Sequence, residues 1–156
     1  MSVSLYGNGN TVIQVLQGTI VSTQITTASA SLVTTGISAT ITPQSTNSKI
    51  LVMPNLTNLY APAGTGMGFA IYRGATQVYL HGYSQSVGYL GSMYSVSGNV
   101  GAVSFSYLDS PATTSATTYT IYWGAYNGGT VYINLNSSGT INGTGSYIIL
   151  QEISGS

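Results

Sequence analysis

The chain of 156 residues has almost no charge. Its charged side chains are Lys49, Arg73, Asp109 and Glu152, which make up 3% of the residues and sum to a net charge of zero. A typical globular domain has about 25% charged residues. Without a basic patch the chain cannot neutralise phosphate groups, which excludes charge-driven binding to nucleic acid and to anionic membrane surfaces. We therefore expect no nucleic-acid partner.

Cysteine is absent as well, so neither disulfides nor thiolate metal sites hold the fold together. Apolar runs, such as residues 50–53, are no longer than a strand, and we expect no membrane insertion. The N-terminal Met-Ser-Val-Ser lacks the basic and apolar regions of a signal peptide, and we expect none. Hydrophobic residues are 43% of the chain, which disfavours disorder.

Acid–base catalysis has few candidate groups. A two-carboxylate mechanism would need both Asp109, which we expect to cap a turn, and Glu152 in the last predicted strand. His81 lies at the start of a long loop, and no Gly-x-Ser-x-Gly elbow accompanies it. One histidine and two scattered carboxylates make a weak metal site. We expect no enzyme activity, no catalytic residue, no metal and no cofactor, although a carboxylate pair formed across a subunit interface stays conceivable.

The rest of the sequence has the pattern of β-strands. Apolar and polar residues alternate, Asn-Gly and Gly-rich turns recur at short intervals, and no segment has sustained helical periodicity. The chain is therefore predicted to be all-β, an antiparallel β-sandwich of the jelly-roll type. Pro54 predicts an edge position or a bulge in its strand. Predicted strands cover residues 11–16, 19–25, 37–42, 49–59, 67–73, 76–80, 103–107, 117–126, 131–135 and 147–153.

The chain has no visible domain boundary, and we divide it into an arm and one domain. Residues 1–18 are predicted to form a short N-terminal arm, and residues 19–156 form the sandwich. The longest loop-like region is residues 82–99, which are rich in Gly, Ser and Tyr. A tyrosine combines a rigid ring with one hydroxyl and so suits contact with a receptor or a glycan. We assign that role to Tyr83, Tyr89 and Tyr94; packing within the domain is the alternative.

The low charge also bears on oligomerisation. Four charged side chains are too few to keep the surface of a 16.1 kDa monomer well solvated, so we expect apolar surface to be buried between subunits. The segment 117–126 is apolar on both faces, with Tyr119 on the face of Trp123 and with Tyr122 and Tyr126 on the other. We predict that Trp123 is in the core and that Tyr119, Tyr122 and Tyr126 contact another subunit. A central strand under a long loop is the alternative.

Four sequence blocks resemble those of tailed-bacteriophage fibre and virion-surface domains. They are residues 35–52, residues 71–74 with the pair Arg73-Gly74, residues 107–119 and residues 149–153. The resemblance spans approximately residues 12–153. It implies a homotrimeric β-sandwich knob carried on the virion surface, with neither enzyme activity nor cofactor.

The resemblance leaves two roles on the virion open. In the first, the trimer is a capsid decoration or cement protein that binds the major capsid protein through its arm. We assign this contact to Leu5, Tyr6, Val12, Ile13 and Val15. In the second, the trimer is a tail-fibre tip that binds a host surface glycan. The arm leaves no room for a fibre shaft before the first strand, which favours decoration. An ice-binding or adhesive β-protein is disfavoured because the Thr-x-Thr pairs are few and irregular.

Overall fold

The structure, a computed structural model, describes residues 11–82, 93–94, 99–135 and 145–155. Within these residues it contains β-strands and no helix, so the all-β prediction is confirmed. The strands form two antiparallel sheets around one hydrophobic core, which makes the fold a β-sandwich. The strands are β1 (Val12–Gln17), β2 (Ile25–Thr27), β3 (Val33–Ile41), β4 (Lys49–Ala61), β5 (Gly66–Arg73), β6 (Thr76–His81), β7 (Met93–Tyr94), β8 (Asn99–Ser104), β9 (Tyr107–Asp109), β10 (Thr117–Tyr126), β11 (Val131–Ile133) and β12 (Tyr147–Ile153).

Each sheet is built around one long strand. In the seven-stranded sheet the order is β1-β12-β4-β11-β2, and β9 and β8 also pair with β4. In the five-stranded sheet the order is β3-β10-β5-β6, and β7 pairs with the first residues of β5. The long strands are therefore β4 and β10, which both have neighbours on two sides.

Alternation along the strands places the core between the two sheets. Ile50, Val52 and Leu56 of β4 are fully buried, because residues two apart on a strand point to the same face. Ile121 and Trp123 of β10 meet them from the other sheet and are also fully buried. The predicted core position of Trp123 is confirmed.

The turn between β10 and β11 follows the predicted Asn-Gly signal. Asn127 has a φ of 63° and Gly128 has a φ of 73°. Two successive residues with positive φ are what a type I′ turn requires, and Asn and Gly tolerate that conformation best. The local sequence Asn127-Gly128 is therefore sufficient to specify this turn.

The predicted strand over residues 19–25 is wrong for most of its length. Only Ile25 enters a strand, and Val21 forms a single bridge with Ser146. A side chain supplies the missing hydrogen bonds: Asn134 Nδ2 donates to the carbonyl oxygens of Val21 and Thr23 at 2.7 and 3.0 Å. The segment is thus held by a buried amide from a distant part of the chain, which its own composition does not reveal.

The predicted strand over residues 103–107 is divided into β8 and β9. The interruption at Phe105 and Ser106 lies opposite Met53 and Pro54 of β4, whose neighbours on either side pair in register. Proline has no N–H to donate to a ladder, which accounts for a gap here. The edge position predicted for Pro54 is wrong, since β4 pairs on both sides. A register shift does follow in β4, between Leu56 and Leu59.

The predicted arm includes a strand of the sandwich. β1 pairs with β12 of the same chain and forms the end of the seven-stranded sheet. Beyond β1 the backbone continues beside β12, since Gly18 N donates to the carbonyl oxygen of Ile148 at 2.8 Å. Residues 1–10 lie outside the described residues.

Candidate functional site: two carboxylate clusters

The charged side chains of the sequence lie mainly in two polar clusters. The Arg73 cluster consists of Arg73, Asp109, Ser110 and Tyr119. The Glu152 cluster consists of Gln14, Gln44, Ser48 and Glu152. The Arg73 cluster joins the two sheets of the sandwich, and the Glu152 cluster joins the seven-stranded sheet to the β3–β4 connection.

In the Arg73 cluster one carboxylate oxygen accepts two bonds from the opposite sheet. Asp109 Oδ2 at the end of β9 accepts from the Arg73 guanidinium at 2.7 Å and from the Tyr119 hydroxyl at 2.7 Å. Arg73 Nη1 also donates to the carbonyl oxygen of Ser110 at 3.3 Å. Arg73 and Tyr119 are cross-strand partners in the five-stranded sheet, whereas Asp109 belongs to the seven-stranded sheet. The expected turn-capping role of Asp109 is thus replaced by a bridge between sheets.

Burial and charge keep the Tyr119 hydroxyl protonated. Burial raises the pKa of Tyr119 most, and the hydrogen bond and negative charge of Asp109 raise it further, well above the usual range. The hydroxyl is therefore a permanent donor to the carboxylate at neutral pH. Lys49 Nζ adds a contact nearby by donating to Ser110 Oγ at 2.7 Å.

In the Glu152 cluster a fully buried carboxylate is held by uncharged donors. Glu152 Oε2 accepts from Gln14 Nε2 at 2.5 Å, and Glu152 Oε1 accepts from the backbone N–H of Gln44 at 2.7 Å. Gln14 Nε2 also donates to the carbonyl oxygen of Thr42 at 2.9 Å. These bonds attach the β3–β4 connection to the edge of the seven-stranded sheet.

The hydrogen bonds decide the charge state of Glu152. Burial raises the pKa of its carboxyl group, but the polar groups of Ser48, Gln14 and the backbone at Gln44 and Ser45 lower it by more, so the pKa lies below its usual range. Ser48 Oγ is buried and makes no bond within hydrogen-bond geometry to any described residue, so we ascribe the lowering chiefly to Gln14 and the backbone. Glu152 is ionised at neutral pH.

The two carboxylates lie in the same row of the seven-stranded sheet. Register places Gln14 beside Glu152, Glu152 beside Ile50, and Ile50 beside Asp109, all on the core side. The backbones of Asp109 and Glu152 are two strand spacings apart, about 10 Å. A glycosidase also uses two carboxylates, but it needs both to face substrate. Here Asp109 is 5% exposed, Glu152 is 0% exposed, and intramolecular donors occupy both. The arrangement is suited to joining sheets.

His81 belongs to an aromatic cluster that the sequence analysis missed. Its ring stacks on Phe105 with a centroid distance of 4.3 Å and an interplanar angle of 8°. The hydroxyl of Tyr79 lies 3.4 Å from His81 Nδ1. Partial burial lowers the pKa of His81 below its ordinary value of 6.5. The signal was the alternation of Tyr79 and His81 along β6, which points both side chains to the core face opposite Ile71 and Phe69.

Of the residues predicted for virion attachment, some lie within the described part of the chain and some lie outside it. Leu5 and Tyr6 lie outside the described residues. In β1, Val12 and Val15 are 42% and 56% exposed, and Ile13 is partly exposed. The structure thus brings the described members together on one edge strand.

The predicted interface tyrosines occupy different environments. Tyr119 is fully buried within the chain, so it offers no surface to another subunit. Tyr122 stacks on Tyr72 at 3.9 Å on the outer face of the five-stranded sheet, and Tyr126 is partly exposed at the end of β10. Of the three tyrosines predicted to contact another subunit, Tyr122 and Tyr126 remain candidates.

The tyrosines predicted for receptor or glycan contact are mostly beyond the described residues. Tyr83 and Tyr89 lie outside them, and the backbone of Tyr94 pairs with Gly66 as part of β7. A surface cleft of about 400 Å³ lies elsewhere, beside the Arg73 cluster. Its lining includes Arg73 and the hydroxyl residues Thr113, Ser115, Thr117 and Thr118.

No group of three His, Asp or Glu side chains that could hold a metal ion occurs among the described residues. In the same part of the chain, no helix is long and apolar enough to cross a membrane.

Comparison with solved structures gives matches to 12 chains. No protein-family model matches the chain, and no curated protein matches it. A chain in the structure of the Gt strain of infectious bursal disease virus superposes with a TM-score of 0.42 and 14% sequence identity. The match covers 91% of this chain and 37% of that chain, so this chain spans little more than a third of its length. Similarity at this level carries no argument about function.

Proposed function

We propose that this chain is a non-enzymatic structural protein on the surface of a tailed-phage virion. In its preferred form the proposal is a homotrimeric, jelly-roll decoration protein that binds the major capsid protein. One observation carries the proposal: the sequence blocks that resemble phage surface domains converge in the two carboxylate clusters.

Side-chain contacts join the four sequence blocks in pairs. Arg73 of the second block binds Asp109 of the third, and Asp109 also binds Tyr119 at the end of that same block. Glu152 of the fourth block binds the backbone of Gln44 in the first. The shared motifs therefore have a structural explanation: they supply the polar contacts that join the two sheets and hold the β3–β4 connection in place. This is expected of motifs that specify a scaffold, because their two carboxylates are buried and already bonded within the chain.

The strand order supports the jelly-roll type. The strands β2, β7 and β11 are short, and β8 lies beside β4 in line with β9. When these four are left aside, eight strands remain, with β1, β12, β4 and β9 in one sheet and β3, β10, β5 and β6 in the other. Apart from the β5–β6 hairpin, which stays in one sheet, successive strands of this set alternate between the sheets, as in a jelly roll of two Greek keys.

The position of β1 supports attachment through the arm. β1 is the end strand of its sheet, and its exposed Val12 is apolar. A chain that leaves such a strand can reach a neighbouring protein and add to the edge of its sheet. Three arms per trimer would raise the effective concentration of each contact, so individually weak contacts would hold the knob on the capsid.

Deletion of residues 1–9 tests the proposal. The truncated protein should remain a folded trimer and should no longer decorate particles that lack the native protein, whereas the full chain should decorate them. The matched control is the double substitution Leu5→Ser and Tyr6→Ser, which keeps the length of the arm and should weaken decoration in the same direction. Wild-type occupancy by both variants would contradict attachment through the arm.

A second candidate function, recognition of a host glycan at a fibre tip, is favoured by the cleft beside Arg73. Sugars bind where hydroxyls and a planar charged group converge, and the lining of this cleft has both. Arg73 is 30% exposed, so one side of its guanidinium is reachable. Binding to isolated host cell-surface glycans that is lost in Thr113→Val and Ser115→Ala would support this function. No binding by the intact chain would leave decoration as the function.

A further inference from the structure

The outer faces of the two sheets differ in the polarity of their side chains. On the seven-stranded sheet, Ile50, Val52, Ile148 and Leu150 are fully buried, so the residues between and beside them point away from the core. We call the outward residues Val15, Leu51, Met53, Leu108, Ile149 and Ile153 the apolar face. A sheet face that meets water ordinarily carries polar residues at these positions.

The register of the sheet brings these residues side by side. Val15, Gln151, Leu51 and Leu108 are successive cross-strand partners and form one row across four strands. In the next row Ile149 pairs with Met53. Val15 is 56% exposed and Leu108 is 50% exposed, so the two ends of the first row are open to a partner. The apolar face thus extends across β1, β12, β4 and β9, with the uncharged polar residues Gln151 and Gln17 in its two rows.

The outer face of the five-stranded sheet is made mainly of hydroxyls and paired aromatics, with Leu80 of β6 as an exposed apolar residue. Thr40 and Thr118 share a hydrogen bond of 2.8 Å between their hydroxyls, and both residues are exposed. Thr120 is aligned with Tyr72, whose ring stacks on Tyr122. Such a surface is compatible with water. We therefore expect a partner to cover the outer face of the seven-stranded sheet, although the sequence analysis assigned the subunit contact to β10.

We propose that the apolar face packs against a second copy of this chain and is the subunit interface of the oligomer. This inference rests on the proposed function only in that it names the surface at which the proposed trimer forms. It moves the predicted contact from the outer residues of β10 to the outer residues of β1, β12, β4 and β9. Val15, which the sequence analysis assigned to capsid attachment, is thereby reassigned to the interface between copies.

Charge favours a second copy as the occupant. The rows of the apolar face contain one charged side chain, Lys49, which pairs with Ile153 at the margin and donates to Ser110. Two or three copies can therefore meet without placing like charges at the centre. A charged partner would find no complementary charge on this surface.

The dimensions of the face also fit an interface between copies. The seven residues of β12 extend about 23 Å, and four strands span about 19 Å, which gives a footprint of about 440 Å². The sheet continues past β12 along β4, where Tyr60 and Tyr132 form an aromatic pair, and its whole outer face approaches about 900 Å². A standard interface buries about 800 Å² of each partner, and Tyr and Met are enriched in such interfaces.

Two matched substitutions test the inference. Leu51→Glu and Thr120→Glu each place one carboxylate at an outward position of a long central strand, on opposite faces of the sandwich. Sedimentation at micromolar concentration should find the wild type and Thr120→Glu as the same oligomer. Leu51→Glu should be folded by circular dichroism and should associate about 100-fold more weakly.

A labelling experiment covers the case in which Leu51→Glu does not fold. The chain has no cysteine, so Leu108→Cys and Thr40→Cys each introduce a single thiol at an exposed position. In the assembled oligomer, maleimide should react about tenfold more slowly with Cys at 108 than with Cys at 40, because only the first is covered. Equal rates, or dissociation by Thr120→Glu and not by Leu51→Glu, would overturn the inference. A monomeric wild type would overturn the trimer as well, whereas an oligomer that survives Leu51→Glu overturns this interface alone.

Discussion

Asp109 and Glu152 occupy one cross-strand row of the seven-stranded sheet, on either side of Ile50. The chain thus places both of its carboxylates in its interior, where each binds donors from the facing side of the sandwich. A buried carboxylate whose donors are complete holds a unique register, because any shift would leave the charge without partners. Asp109 and Arg73 therefore join the two sheets, and Glu152 holds the β3–β4 connection on the seven-stranded sheet.

Removing the hydroxyl of Tyr119 should destabilise the protein. In Tyr119→Phe the buried Asp109 carboxylate loses a donor while the ring stays in the core, and the expected loss is about 1–3 kcal/mol of unfolding free energy. Urea denaturation measures the change. Tyr122→Phe, on the outer face of the same strand, is the control and should change stability by about 0.5 kcal/mol or less. Equal effects of the two substitutions would contradict the role of the Arg73 cluster.

Glu152 should make the fold sensitive to acid. Its pKa is lowered in the folded state, so the stability it contributes is present above its ordinary pKa of 4.5 and is lost as pH falls through the lower folded value. In Glu152→Gln this loss of unfolding free energy below about pH 4.5 should disappear, although the variant should be less stable at neutral pH. Denaturation at a series of pH values gives both profiles. Parallel profiles for wild type and variant would show that Glu152 is not held ionised.

His81 should add a second, higher pH step. Its pKa is lowered from 6.5 by burial, so the unfolded chain binds a proton more readily, and stability should fall as pH drops below about 6.5. His81→Phe keeps a flat ring against Phe105 and should abolish this step, whereas Glu152→Gln should retain it. The same pH series measures it. A decline that begins at the same pH in His81→Phe would assign the step to another group.

Assembly should be nearly independent of salt. Screening weakens interactions between exposed charges, and this chain has almost none, while the proposed interface is apolar. The sedimentation profile should therefore be the same at low salt and at about 1 M NaCl. Dissociation at high salt would mean that ion pairs between subunits hold the oligomer.

The sequence predicted those features that depend on local pattern. Alternation located the long strands β4, β10 and β12, and the Asn127-Gly128 pair located a turn. It could not show that Asn134 would hold Val21 and Thr23, because this bond joins residues that are far apart in the chain. Nor could it show that Asp109 and Glu152 share a row, which depends on the register of three strands. The assignment of Tyr119 to a subunit interface was wrong, because its side chain is fully buried within the chain. Its hydroxyl donates to Asp109, and the sequence could not show that Asp109 lies beside it.

Fractionation of purified particles tests the central claim most directly. Particles of the virus that encodes this chain would be separated into heads and tails, and the chain would be quantified in each fraction by mass spectrometry. Antibody labelling of intact particles in the electron microscope would show whether it is exposed. The account predicts that the chain is on the outside of the head, and a location at the fibre tip would instead support the glycan-binding function. Absence of the chain from purified particles would contradict the proposal that it is a structural protein of the virion.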